Sequence, residues 1–247
     1  MLTAFLCRVG TSLTPHVYQR DKACVRIDES EWSQPFVLNG AGTTGMLQVY
    51  TPQQHGGART RYEVVVTSKP EVTLGCAAFR RSMLVVLSPR FIVANQLDEE
   101  LVFAQARTRA TKHGKSFVTL APFPAAMNRA EAGQHTPFQW HDDSTPSLLC
   151  LKLREYDWSG AFDITKVGAF AVKLRSAQSG GNSMLLRVEV KQDPSHGSVW
   201  VIVRRESSEF PVYRVTNQTD DTIVFQQAGV GAGRHHPEQL APHSSTW

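Results

Sequence analysis

An eleven-residue stretch occurs twice in this chain. Residues 95–105 read Asn-Gln-Leu-Asp-Glu-Glu-Leu-Val-Phe-Ala-Gln and residues 217–227 read Asn-Gln-Thr-Asp-Asp-Thr-Ile-Val-Phe-Gln-Gln, with 6 identities in 11 positions. Two unrelated stretches of that length share about one residue at ordinary amino-acid frequencies. The likeness runs backwards, since Pro89 and Phe91 precede Asn95 at the spacing with which Pro211 and Tyr213 precede Asn217. A second marker lies upstream of each copy, Trp32-Ser33-Gln34-Pro35-Phe36 and Trp158-Ser159-Gly160-Ala161-Phe162. Trp32 stands 63 residues before Asn95 and Trp158 stands 59 before Asn217, so the two markers recur in one order at nearly one distance. A repeat of about 120 residues means that the chain must be built from a unit it can make twice.

Strands are the expected material of that unit. Short β-branched or aromatic runs alternate with Gly, Pro, Ser and Asp along the whole chain, as in Gly45–Tyr50, Tyr62–Thr67, Ser82–Leu87, Leu148–Leu153, Met184–Val190 and Val199–Val203. In Met184–Val190 the apolar Leu186, Val188 and Val190 alternate with Arg187 and Glu189, the period of a strand with one wet face. Only 104–112 and 125–132 have any helical character, and both are short and uncapped, so they read as loops. The expected fold is all-β, as tandem β-sandwich repeats: two repeats, at 24–135 and 136–236, and the start of a further one at 237–247. Residues 1–23 read as a leader or the end of a preceding repeat, and the two modules are expected to meet near residues 121–145.

Composition adds limits rather than a function. Hydrophobic residues make up 41% of the chain, which argues against disorder, and no apolar run reaches the 18 or so residues of a membrane helix. The patch within Met1–Gly10 lacks a basic leader, so no signal peptide is expected. Cys7, Cys24, Cys76 and Cys150 lie far apart with no Cys-x-x-Cys pair, which fits a reducing cytosolic compartment. Charge is only slightly basic, 26 Lys and Arg against 22 Asp and Glu, a weak invitation to nucleic acid or anionic lipid.

Nothing in the sequence has the pattern of a reaction centre, and no catalytic residue, metal or cofactor is expected. His235, His236 and His243 have only Glu238 beside them, and read as a solvated linker. His141-Asp142-Asp143 suits a turn. Gly180-Gly181-Asn182 lacks the strand, helix and lysine of a phosphate loop. The run Arg107, Arg109, Lys112, His113, Lys115 is not repeated after Gln227, and Pro122-Phe123-Pro124 reads as a stiff connection. A catalytic constellation seldom needs two copies, whereas a residue that shapes each module does. Trp32, Trp158, Phe36, Phe162, Phe103 and Phe225 are therefore expected as core anchors. Asn95 and Asn217 have two candidate tasks: closing a turn through their side chains, or presenting an amide to an incoming strand.

These residues carry a resemblance. Trp158-Ser159 with Phe162, Pro-Arg-Phe-Ile-Val-Ala-Asn at 89–95, Gln105, Pro137-Phe138-Gln139-Trp140 and Tyr213-Arg214-Val215-Thr216-Asn217 resemble the adaptor-binding region of the vacuolar protein sorting-associated protein 13 family. The resemblance runs over roughly residues 24 to 247. It implies several β-sandwich repeats, each with a characteristic Asn, in a very long bridge-like protein that moves phospholipids between organelles. It further implies recruitment by Pro-x-Pro motif adaptors on organelle membranes, in the cytoplasm at contact sites, with membrane reached indirectly and nucleic acid disfavoured. The family region has about six repeats where this chain has two and a stub, and the family's lipid-transfer groove has no counterpart here. Two other classes compete: a basic β-rich module binding nucleic acid or anionic membrane directly, and a β-rich hydrolase. The salt dependence of binding separates the first of these from an adaptor-binding module.

Overall fold

The computed structural model describes residues 2–3, 22–38, 44–53, 58–70, 83–110, 116–119, 127–145, 147–177, 183–206, 214–225 and 237–246. Among them every helix or strand element is a strand. The order begins β1 (Leu2–Thr3), β2 (Lys22–Ala23), β3 (Arg26–Ile27), β4 (Phe36–Val37), β5 (Thr44–Tyr50), β6 (Arg61–Pro70), β7 (Met83–Pro89) and β8 (Phe91–Asn95). It continues with β9 (Leu101–Gln105), β10 (Arg107–Ala110), β11 (Ser116–Thr119), β12 (Asn128–Ala130), β13 (His135–Phe138), β14 (Leu148–Lys152) and β15 (Phe162–Asp163). The rest are β16 (Gly168–Leu174), β17 (Met184–Gln192), β18 (Val199–Arg205), β19 (Val215–Thr216), β20 (Ile223–Phe225), β21 (Glu238–Leu240) and β22 (Ser245–Thr246). The larger sheets are ordered β5-β6-β7, β12-β9-β14-β15 and β13-β8-β18-β17-β16.

The chain divides into two compact units that interleave in sequence. One gathers residues 1–93, 137–144 and 191–200; the other gathers 94–136, 145–190 and 201–247. In the first, β6 is the central strand of β5-β6-β7, and Val64, Val65 and Val66 are buried in succession. Trp140 belongs to this unit. It is 1% exposed, meets Phe91 and Phe138 edge-on at 5.5 and 4.8 Å, and exchanges backbone hydrogen bonds with Arg61. In the second unit, strict alternation turns Leu186, Val188 and Val190 of β17 inward, and Leu101, Phe103, Leu149 and Leu151 are fully buried on β9 and β14.

The repeat in sequence does not coincide with these units. β9 comes from the first copy and β14 from the second, yet they pair antiparallel, with Leu149 opposite Gln105 and Leu151 opposite Phe103. A hydrogen-bonded ladder therefore runs across the expected boundary at 135/136. Local pairings nonetheless recur in register: Ala23 faces Phe36 as Leu149 faces Phe162, and β5 pairs with β6 as β16 pairs with β17. The two stretches read as loops are partly strand. Ala104 and Gln105 complete β9, Arg107–Ala110 form β10, and Asn128–Ala130 form β12 on the edge of β9. A three-residue strand carries too little periodicity to be seen alone, and β12 exists because β9 offers it backbone partners.

Candidate functional site

Asn95 ends β8 and is 1% exposed, a buried polar side chain that must find partners. Its Nδ2 donates to the carbonyls of Glu99 (2.8 Å), Ala130 (2.9 Å) and Glu131 (3.1 Å), while Oδ1 accepts the Leu97 N–H at 3.0 Å. Asn217 has the same environment: Nδ2 donates to Asp221, Leu240 and Ala241, and Oδ1 accepts the Thr219 N–H at 2.9 Å. Each Asn thus closes the turn that follows it and ties that turn to the chain leaving β12 or β21. Both amides are engaged inside the protein.

The Trp-Ser marker divides its labour in an unexpected way. Ser33 Oγ accepts the Val25 N–H at 2.9 Å, and Ser33 donates its own N–H back to the Val25 carbonyl. Ser159 makes the same pair with Leu151, also with Oγ at 2.9 Å. The serines are the buried residues, 6% and 1% exposed. Adjacent residues in an extended segment point to opposite faces, so the tryptophans are turned outward. Trp32 is 47% exposed, which corrects the expectation that it anchors a core, and Trp158 is half-buried. Phe103 is fully buried, whereas Phe36, Phe162 and Phe225 are half-buried and Phe162 stacks edge-on with Phe170 at 5.2 Å. Trp140, part of the lead-in Pro137-Phe138-Gln139-Trp140, is the fully buried tryptophan among the described residues. Its signal was the company of Phe138 two residues earlier and Phe91 ahead of the Asn, but their meeting is tertiary.

Trp158 lines an open cleft of about 590 Å³ in the second unit, together with Glu99, Glu100, Val102, Met127, Arg129, Lys152, Leu153 and Arg154. Its place on the sheet follows from pairing, since Arg129 and Lys152 both stand opposite Val102, on the two flanking strands. Glu100 pairs with Arg129 at 3.0 Å and Glu99 lies 3.6 Å from Arg205.

Other candidates have structural explanations. Asp142 Oδ1 accepts the Ser144 N–H and hydroxyl in a turn, and Asp143 pairs with Arg61 at 2.8 Å. Burial pushes the His141 imidazole below its ordinary value and holds the Glu63 carboxyl above its own, against the pull of Arg61 and Arg90. Burial raises the Cys150 thiol to about 12, which leaves it an unreactive core side chain. His243 faces Asp220 at 2.9 Å on the surface. His235, His236, Gly180-Gly181-Asn182, Lys112 to Lys115 and Pro122-Phe123-Pro124 lie outside the described residues. Among the described residues no group of His, Cys, Asp and Glu is placed to hold a metal, and no helix is long and apolar enough to cross a membrane.

The described residues thus form a β-rich module whose surface carries a cleft and whose repeated Asn residues are spent on turns. The chain belongs to the family described as vacuolar-sorting associated protein 13, adaptor binding domain, whose model matches residues 12–242. It is 26% identical over 214 residues to human intermembrane lipid transfer protein VPS13D, covering 84% of this chain and 4% of that protein. It is 23% identical to intermembrane lipid transfer protein VPS13 of Chaetomium thermophilum and 24% to vps13D of Dictyostelium discoideum, covering 84% and 90% of the chain and 6% of each relative. The chain thus spans a small fraction of the length of these curated relatives, which are lipid transfer proteins.

Proposed function

We propose that this chain is the adaptor-recruiting part of a larger intermembrane lipid-transfer protein, and that it takes extended Pro-x-Pro segments of adaptors on organelle membranes. The match to an adaptor binding domain over residues 12–242 is the observation that carries this reading. Recruitment takes place in the cytoplasm at contact sites, with the membrane reached through the adaptor, and serves lipid transport and vacuolar sorting by the whole protein. A Pro-x-Pro segment is extended before it binds and has no internal hydrogen bonds to break, so its ordering cost is low and it can add along a strand edge. Asn95 and Asn217 contribute by holding the turns beside such edges.

The test is a titration of a labelled Pro-x-Pro peptide, read by fluorescence anisotropy. Expected is micromolar affinity, about 8 kcal/mol. From about 50 to 200 mM salt it should change by a few-fold at most, where nucleic acid held by six or more phosphates weakens about a thousandfold. Steeply salt-dependent binding of nucleic acid without peptide binding would replace this reading by the nucleic-acid one.

A further inference from the structure

The internal repeat serves as a control within one molecule. At the Trp marker neither copy buries its indole fully, Trp32 being 47% exposed and Trp158 half-buried, although full burial would stabilise the fold. Both copies also set a cation beside the indole. Arg26, six residues before Trp32, lies with its guanidinium 5.3 Å from the indole centroid, and Lys152, six residues before Trp158, lines the same cleft as that indole. Four residues before each Trp the copies part: Asp28 in the first, Arg154 in the second.

Charge around the Trp158 cleft is unevenly satisfied. Glu100 is paired with Arg129 at 3.0 Å, and Glu99 shares Arg205 with Asp98, each carboxylate 3.6 Å from it. Lys152 and Arg154 line the cleft too, and among the described residues neither makes an ion pair or a side-chain hydrogen bond. The apolar side chains that an occupant meets are Trp158, Met127 and Val102, with Met127 38% exposed. An occupant therefore finds an aromatic and thioether floor beside Lys152 and Arg154, two cations unpaired among the described residues. A planar anionic bilayer fits this less well than a chain does, because the surface is concave and two carboxylates share its rim; a peptide can place its charges one at a time.

We propose that the Trp158 cleft takes an acidic linear segment of a partner protein, with an apolar side chain seated against Trp158 and Met127 and carboxylates facing Lys152 and Arg154. This rests on the reading of the chain as an adaptor-binding domain, and specifies where and by what chemistry the adaptor is read. The Trp32 surface, with Asp28 in place of the second cation, does not take the same segment. Selectivity among adaptors then comes from acidic residues around the motif, and only one of the two tryptophan surfaces reads them.

The experiment uses the full chain and three short labelled peptides alike except in charge: a central Leu flanked on both sides by Asp, by Asn or by Lys. Expected is binding of the Asp peptide, about tenfold weaker binding of the Asn peptide, and none of the Lys peptide. In the double variant Lys152→Glu with Arg154→Glu the order reverses, so that the Lys peptide is gained and the Asp peptide lost. That gain cannot come from misfolding. Trp158→Ala loses the Asp peptide, and Arg26→Glu leaves its binding unchanged. Equal binding of Asp and Lys peptides, no binding of the Asp peptide at millimolar concentration, or an order unchanged in the double variant overturns the proposal. So does binding of phosphatidylserine vesicles that depends on Lys152 and Arg154 while the Asp peptide is ignored. A Pro-x-Pro peptide bound equally by parent and double variant leaves the adaptor reading standing and removes the cleft from it. An Asp peptide bound in the cleft without any Pro-x-Pro binding does the opposite.

Discussion

The Asn95 and Asn217 turns are nearly the same object in two settings. Each Asn donates to three carbonyls and accepts a backbone N–H two residues on, and each is 1% exposed. The strands that follow differ sharply. In the first copy Leu101 and Phe103 of β9 are 0% exposed, whereas in the second Ile223 is 37% exposed, Val224 is 56% exposed and Phe225 is half-buried. The cause is a neighbour. β9 lies between β12 and β14, while among the described residues β20 pairs with β21 alone. The turn recurs with the same closing bonds in both copies, whereas burial of the strand behind it depends on a partner more than forty residues further along.

The largest test of this contrast is at the phenylalanines. Phe103→Ala removes a fully buried ring held between two strands and should destabilise its unit by about 3–5 kcal/mol. Phe225→Ala, at the equivalent position with one paired neighbour, should cost about 1 kcal/mol, in keeping with a partial loss of apolar burial. Urea unfolding monitored by fluorescence measures both, and equal costs would mean that the exposure of β20 has no energetic meaning. Next in size are the turns. Asn95→Ala strands buried carbonyls and should cost about 2 kcal/mol, and Asn217→Ala a similar amount, because the hydrogen bonds to the backbone are equivalent and Asn217 adds only one from the Thr219 hydroxyl. Hydrogen exchange at the Leu97 and Thr219 amides should rise in the respective variants; a large effect at one site alone would break the equivalence.

The Ser33 and Ser159 pairs extend the comparison to the other marker. Ser159→Ala should cost about 1 kcal/mol and Ser33→Ala about as much, since each leaves a buried backbone N–H without its acceptor. Thermal unfolding of the two variants provides the check. The smallest effect is expected at Glu63. Its folded-state value is raised by burial above 4.5, so the folded protein keeps a proton that the unfolded chain has already lost. Its contribution is full below 4.5 and disappears as the pH rises through the raised value. Glu63→Gln should flatten the pH dependence of stability in that window, and an unchanged profile would show that Arg61 and Arg90 cancel the burial.

Much of the strand content could be read directly. Gly45–Tyr50, Met184–Val190 and Val199–Val203 stand within a residue or two of β5, β17 and β18, because β-branched residues in alternation leave little else to form. The importance of Asn95, Asn217 and the Trp-Ser marker was legible from recurrence. What the marker does was not. Trp32 and Trp158 looked like anchors because large aromatic residues usually are, and only the hydrogen bonds of Ser33 and Ser159 showed which neighbour faces inward. The Trp158 cleft was invisible for a related reason: Val102, Met127, Lys152 and Trp158 come from four stretches that meet only when β9 pairs with β12 and β14.

By itself the sequence determined the all-β character and the local closing of each Asn turn, since these depend on residues within a few positions of one another: alternation along a strand, and an amide that meets the backbone two and four residues on. The tertiary structure alone decided the grouping of strands into units and the exposure of the residues between them. β9 joins β14 across the boundary of the repeat, Trp140 rather than Trp32 is buried, and β20 keeps an uncovered face. Side-chain periodicity says which face of a strand is apolar, but a strand's backbone pairs with whichever edge reaches it, and that choice is made between segments far apart in the chain.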